Sequence, residues 1–353
     1  MNYSISFPRT FTFTLIYTLL CFMHFSACAD DNNIPADTVI ENIVEVTAMH
    51  DHEENLHLFD MSTHEIPSGW TTFEFTNASP VDHFFVIYKV PNEGIEAAEE
   101  AGEPLLDYWF KGVTEPFQTE FNPYVNGEIN YEEFTNNLVG SIMENASWFF
   151  DPGAVPTGGP GFTAAGRTSQ TTVHLEQGNY VVECYVKDEN EVFHSYIGML
   201  ELLTVTDEES GAEEPVATSN MTISSTNGIQ HDEELSAGSH TFEIIFEDQE
   251  TYAHLLGHNV QLVKLSDKND EELLSELAAW MDWRQPGSLV DRAPGGAEFK
   301  GGSMEMTEGA TAYFHANLEP GDYAWIAEIP DPAYHGMLKT FTVEDDDASA
   351  SAY

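Results

Sequence analysis

Short runs of alternating apolar and polar residues, broken by Gly, Pro and Asn, recur along most of the chain. "TTFEFT" (71–76) alternates strictly and is rich in aromatic and β-branched residues, which predicts a half-buried strand. "HFFVIYKV" (83–90) is a longer apolar run, as expected of a strand covered on both faces. "NYVVECYVKDENEVFHSYIGMLELLTV" (179–205) predicts a strand, a polar turn around 187–191, and further strand. Two stretches change period. "NYEEFTNNLVGSIMENASWFF" (130–150) and "DEELLSELAAWMDW" (270–283) put acids first and space apolar residues as on a helix. Each precedes a Gly/Pro-rich loop, "DPGAVPTGGPG" or "RAPGGAEFKGG". Trp280 and Trp283 are expected in the core or as an anchor between helix and loop. "NPYVNGEINYEEF" (122–134) spaces Gly127, Ile129 and Glu133 as a calcium loop does. Asn122 and Tyr124 stand where acidic ligands belong, so a turn into a helix is the better reading.

The strand-like blocks occur twice, in the same order. "IPSGWTTFEF" (66–75) matches "LSAGSHTFEI" (235–244), and "HFFVIYKV" matches "HNVQLVKL" (258–265). "LEQGNYVVECYV" (175–186) matches "LEPGDYAWIAEI" (318–329), and "GMLELLTV" (198–205) matches "GMLKTFTV" (336–343). Four blocks in register indicate a diverged tandem duplication. The expected domains are 30–206 and 218–344, each a β-sandwich with a helical insertion between early and late strands. An acidic linker, 207–217, separates them. The acidic end, 345–353, is expected to be a solvated, disordered tail.

Residues 1–29 have the layout of a secretory signal: Arg9, an apolar run from Phe11 to Phe25, then small residues. The run is short for a membrane span. Two processing readings stay open. Cleavage after Ala29 would follow the Ala27-Cys28-Ala29 pattern. Cleavage before Cys28 would follow "FSAC", which is similar to a bacterial lipobox, and leave Cys28 as a lipid anchor. Both place the mature protein outside the cytoplasm, in the cell envelope or periplasm or secreted.

Of 3 cysteines, Cys21 leaves with the signal and Cys28 is removed or lipidated, which leaves Cys184 without a partner. An unpaired thiol in an oxidising compartment is either a buried small hydrophobe or a metal thiolate. With 61 acidic against 11 basic residues, the net charge of −50 argues against nucleic acid and anionic lipid as partners. A docking partner is expected to be basic.

An early His83, the "L-E-x-G-x-Y" lead-in, Cys184, His194 and "G-M" at Gly198-Met199 follow one another through the first repeat. This order resembles the cupredoxin family. The resemblance implies an all-β chain of two tandem cupredoxin-like Greek-key sandwiches. It implies one type 1-like copper site in the first, with His83, Cys184 and His194 as equatorial ligands and Met199 as the axial one. Two imidazoles, a thiolate and a weak thioether suit both oxidation states of copper. Phe84, Phe193 and Tyr196 are expected to keep water off the metal. Nine residues between Cys184 and His194 exceed the family's usual spacing, so a hairpin at "KDEN" must bring His194 back. In the second repeat Ala327 aligns with Cys184, beside His258, His335 and Met337, so no type 1 site is expected there.

The resulting expectation is an extracytoplasmic electron carrier that passes electrons to a redox partner with a basic docking face. The alternatives are a cupredoxin-like module without redox chemistry, and copper storage or delivery. Multicopper oxidases also have tandem cupredoxin domains. Their trinuclear site needs several His-x-His pairs and a His on each side of the Cys, whereas Cys184 lies between Glu183 and Tyr185. An enzyme is therefore not expected. His50, His52, His57 and His64 crowd one short stretch and read as solvated strand-end histidines rather than a surface metal site.

Overall fold

A computed structural model describes residues 42–344 except 52, 54, 55, 232 and 233. The signal segment with Cys28, the tail and His52 lie outside the described residues. The described residues belong to one compact unit. The chain is an all-β, sandwich-like fold built on two sheets. Among the described residues, no helix is long and apolar enough to cross a membrane.

The first half begins with the hairpin Ile43–Asp51 and Leu56–Met61, and its layer continues through Glu65–Asn77 and Thr168–Leu175. The facing layer pairs Val86–Lys89 with Gly178–Glu183, and Gly178–Glu183 with Leu200–Glu209. The long strand Glu65–Asn77 joins the two layers. Its start pairs with Leu200–Glu209, and from Gly69 onward it pairs with Thr168–Leu175. Gly69 sits at the crossover with φ +118°, and an added Cβ would lie 2.7 Å from Ser210 Oγ. Only glycine takes that backbone without strain, which explains why a glycine leads this block.

The second half also has two layers. Ser219–Ser224, Gly238–Phe246 and Thr311–Leu318 form one layer. Ala297–Ser303, Val260–Leu265, Gly321–Ile326 and Leu338–Val343 form the other. Equivalent side chains make equivalent bonds. Tyr180 donates its hydroxyl to the Glu176 carbonyl at 2.6 Å, and Tyr323 donates to the Glu319 carbonyl at 2.9 Å. Lys89 pairs with Glu176 and Lys264 with Glu319. The "LE-x-G-x-Y" motif is thus a corner closed by its own tyrosine.

The halves share a sheet. Thr311–Leu318 pairs antiparallel with Thr168–Leu175, Ala312 opposite Val173 and Phe314 opposite Thr171. The strand Leu200–Glu209 runs through the first residues of the segment read as a linker.

The helix Tyr131–Asn145 starts at a capping box, in which Asn130 Oδ1 accepts from the Glu133 N–H and Glu133 Oε2 accepts from the Asn130 N–H. Gly127, at φ +71°, turns the chain into it. This is the turn-and-helix reading of 122–134. The second half carries Glu271–Trp280, capped by Asp270. The sequence pattern did not disclose the helices Asn92–Ala101 and Glu115–Val125. The only buried residues of Asn92–Ala101 are Gly94 and Ala98, too small to mark an apolar stripe.

Candidate metal centre

His83 sits just before Val86–Lys89, fixed by backbone bonds with Thr163 in both directions. Cys184 follows the last residue of Gly178–Glu183. From there the chain makes the expected hairpin. The Asp188 N–H donates to the Val192 carbonyl, and the Glu191 N–H to the Asp188 carbonyl. The His194 N–H then donates to the Val186 carbonyl at 2.8 Å, which returns His194 beside Cys184. A 3-10 turn, His194–Ile197, brings Met199 round. The Met199 N–H donates to the His194 carbonyl at 2.9 Å, and its carbonyl accepts from the Cys184 N–H at 3.2 Å. His83, Cys184, His194 and Met199 are all fully buried.

His83 brings its Nδ1 close to donor atoms of two of the others. His83 Nδ1 lies 3.6 Å from Cys184 Sγ and 3.3 Å from His194 Nδ1. Donors spread about 110–120° around one ion, at about 2.0 Å for nitrogen and about 2.3 Å for sulfur, stand about 3.3–3.7 Å apart. The His83–Cys184 and His83–His194 spacings each match two donors on one ion. Nε2 of both His83 and His194 is buried without a hydrogen-bond partner, so the polar contacts of both rings are made through Nδ1.

The electrostatics agree. Burial, reinforced by the neighbouring imidazoles, holds His83 and His194 well below the usual histidine range. Both rings are neutral near pH 7, as ligands must be. Burial pushes the Cys184 thiol up to about 12, against backbone hydrogen bonds from Phe84 and Val186. Only a cation at the site would hold it as thiolate. Thiolate and imidazole together are a donor set compatible with copper.

His57 is a surprise of the structure. The sequence pattern reads it as a solvated strand-end residue, yet it is 5% exposed and stacks on His194 with ring centroids 3.9 Å apart. His50, opposite it in the hairpin, stacks on its other face at 4.5 Å. The nitrogens of His57, His83 and His194 lie within 4.8 Å of one another. Period-2 burial along "LHLFDM" signals this, since His57, Phe59 and Met61 all point inward. His64 does lie exposed.

The aromatic shield also differs. Phe84 and Phe193 are buried, but Phe84 packs on Phe162 and Tyr185, and Phe193 packs on Phe121 and Trp283. Tyr196 is 36% exposed and stacks on Phe110. The ring laid over a candidate ligand is that of His57.

The second half buttresses the hairpin. The Lys187 N–H donates to the Leu289 carbonyl, and the Asp291 N–H to the Lys187 carbonyl. Lys187 Nζ is fully buried, pairs with Glu191, donates to the Trp283 carbonyl at 3.2 Å and lies 4.8 Å over the Phe121 ring. Trp280 and Trp283 are core residues, as expected.

In the second half the Ala327 N–H donates to the Met337 carbonyl at 3.0 Å, the counterpart of the Cys184–Met199 bond. His258 is buried with its Nδ1 3.3 Å from the Tyr252 hydroxyl, and His335 is half-buried against Tyr252.

No family model matches the chain, and no curated protein matches it. Among solved structures it is similar to auracyanin B, at 11% identity over 37% of this chain and 93% of that one, with a TM-score of 0.27. Auracyanin A, a "blue" copper protein from Chloroflexus aurantiacus, matches at 15% identity over 46% and 98%, with a TM-score of 0.23. A multicopper oxidase matches at 10% identity over 86% and 88%, with a TM-score of 0.21. Matches this loose say nothing about activity.

Proposed function

We propose that the chain is an extracytoplasmic copper protein whose first half carries one mononuclear site, held by His83, Cys184, His194 and Met199, and that it transfers electrons. The observation that carries this reading is the placing of His83 Nδ1 3.6 Å from Cys184 Sγ and 3.3 Å from His194 Nδ1, among fully buried residues. When bound, copper supplies one-electron cycling between a soft and a harder state, and this donor set serves both.

The chain's own residues do the rest. The backbone N–H groups of Phe84 and Val186 aim at the Cys184 sulfur and favour its thiolate form. His83 is fixed by Thr163, and His194 by Val186 and the hairpin, so the donors are held in place before any ion arrives. Full burial of the four residues keeps solvent out, which limits rearrangement when charge changes. Copper storage or delivery fits the same donors less well, because a closed pocket hinders exchange.

The second half is read as a diverged copy that lost its metal. Ala327 supplies no thiol where Cys184 stands, and the matching backbone bond to Met337 supports the equivalence. Its role in this reading is to brace the Cys184–His194 hairpin. The signal segment supports an extracytoplasmic location, and the net charge of −50 supports a redox partner with a basic face.

Repeated cycles of a mild reductant and oxidant on the copper-loaded protein test the redox reading. Full bleaching and recovery of the visible absorption over several cycles is expected. Permanent bleaching, or copper released on reduction, would sink it.

A further inference from the structure

A cleft of about 440 Å³ has no histidine in its lining. One wall is the helix Tyr131–Asn145 and the loop after it, and the other is residues 249–257 and 305–308 of the second half. Leu138, Val139, Phe149 and Phe150 make its sides apolar, and Tyr88 and Glu305 line it too. Val139 and Phe150 are left 39% and 44% exposed, unusual for large apolar side chains lining one opening. Its volume lies in the range of small-molecule sites, about 300–1,000 Å³.

Glu305 gives this cleft its chemistry. The residue is 2% exposed. Its Oε1 accepts from the Tyr88 hydroxyl at 2.7 Å, while its Oε2 is buried with no hydrogen-bond partner. A buried carboxyl oxygen left unpaired costs free energy that a donor brought by a ligand would recover. Glu250 and Glu308 also line the cleft, and no lysine or arginine does among the described residues.

We propose that this cleft binds a small organic cation, an amine with an apolar body, whose ammonium pairs with Glu305 and whose body lies on Val139, Phe149 and Phe150. The acids of the lining and the chain's net charge of −50 repel anions and concentrate cations. The rings of Tyr88, Phe149 and Phe150 offer faces that attract a desolvated ammonium. Burial pushes the Glu305 carboxyl up to about 7, so a cation beside it would be welcome.

The test is calorimetric titration of the full protein, in salt high enough to screen its surface charge, with 2-phenylethylammonium and its neutral analogue 2-phenylethanol. The ammonium is expected to bind saturably and at least about tenfold tighter than the alcohol. Glu305→Gln is expected to erase that preference. Val139→Trp, at an exposed position, fills the opening and is expected to weaken both ligands at least about tenfold; it carries the test if Glu305→Gln misfolds. No saturable binding, equal binding of the two compounds, or ammonium affinity untouched by the folded variants would overturn the proposal. The visible absorption of copper-loaded protein reports on the other site separately, so either reading can fail alone.

Discussion

The imidazole of His57 lies flat on that of His194, 3.9 Å between centroids and 15° between planes. It comes from the opening hairpin, 26 residues before His83 and well over a hundred before Cys184 and His194. The stacked ring covers one face of a candidate ligand, and His50 extends the stack to a half-buried position.

His57→Ala should therefore open the site without removing a donor of the proposed set. Copper in this variant is expected to pass to a chelator at least about tenfold faster than in the wild type, while His57→Phe, which keeps a stacked ring, stays near the wild-type rate. Equal rates in all three proteins would show that the stack does not guard the site.

Much of the fold is legible in the sequence because strands announce themselves by alternation. The two copies of "LE-x-G-x-Y" mark the same tyrosine corner, and Gly69 marks the point where a strand changes layers. His83, Cys184 and His194 are legible as candidates because few residue types offer soft donors. His57 was obscured by its own neighbourhood. Four histidines among acids look like surface, and only the register of "LHLFDM" turns one of them inward. The brace on the hairpin is not legible at all. Lys187 meets Trp283 and Leu289 about a hundred residues away, a contact that no local pattern encodes.

That brace makes Lys187→Met informative. The substitution leaves the mostly buried Glu191 carboxylate without its partner. Breaking such a pair is expected to destabilise the protein by about 3 kcal/mol, read from denaturant unfolding. Copper release should accelerate too, because the hairpin holds His194. A variant as stable as the wild type would show that the pair carries no load.

Glu305 predicts a pH dependence. Its carboxyl is raised from 4.5 to about 7, chiefly by burial, so the folded state holds its proton where the unfolded state has lost it. It faces the Tyr88 hydroxyl, and Glu183, Glu328 and Tyr185 interact with it. A raised carboxyl contributes stability in acid and loses it as pH rises from about 4.5 through 7. Glu305→Gln mimics the protonated acid. Its unfolding free energy is expected to fall less steeply than that of the wild type across this window, by a few kcal/mol at most. Parallel pH curves for the two proteins would contradict the assignment.

The most direct measurement adds copper(II) to the mature protein and records the visible spectrum beside that of Cys184→Ala. A thiolate bound to copper gives an intense absorption that imidazoles alone do not give. One intense band that saturates at one copper per chain, and is absent from Cys184→Ala, is the result this account predicts. Copper bound without such a band, or a band that survives in Cys184→Ala, would contradict it.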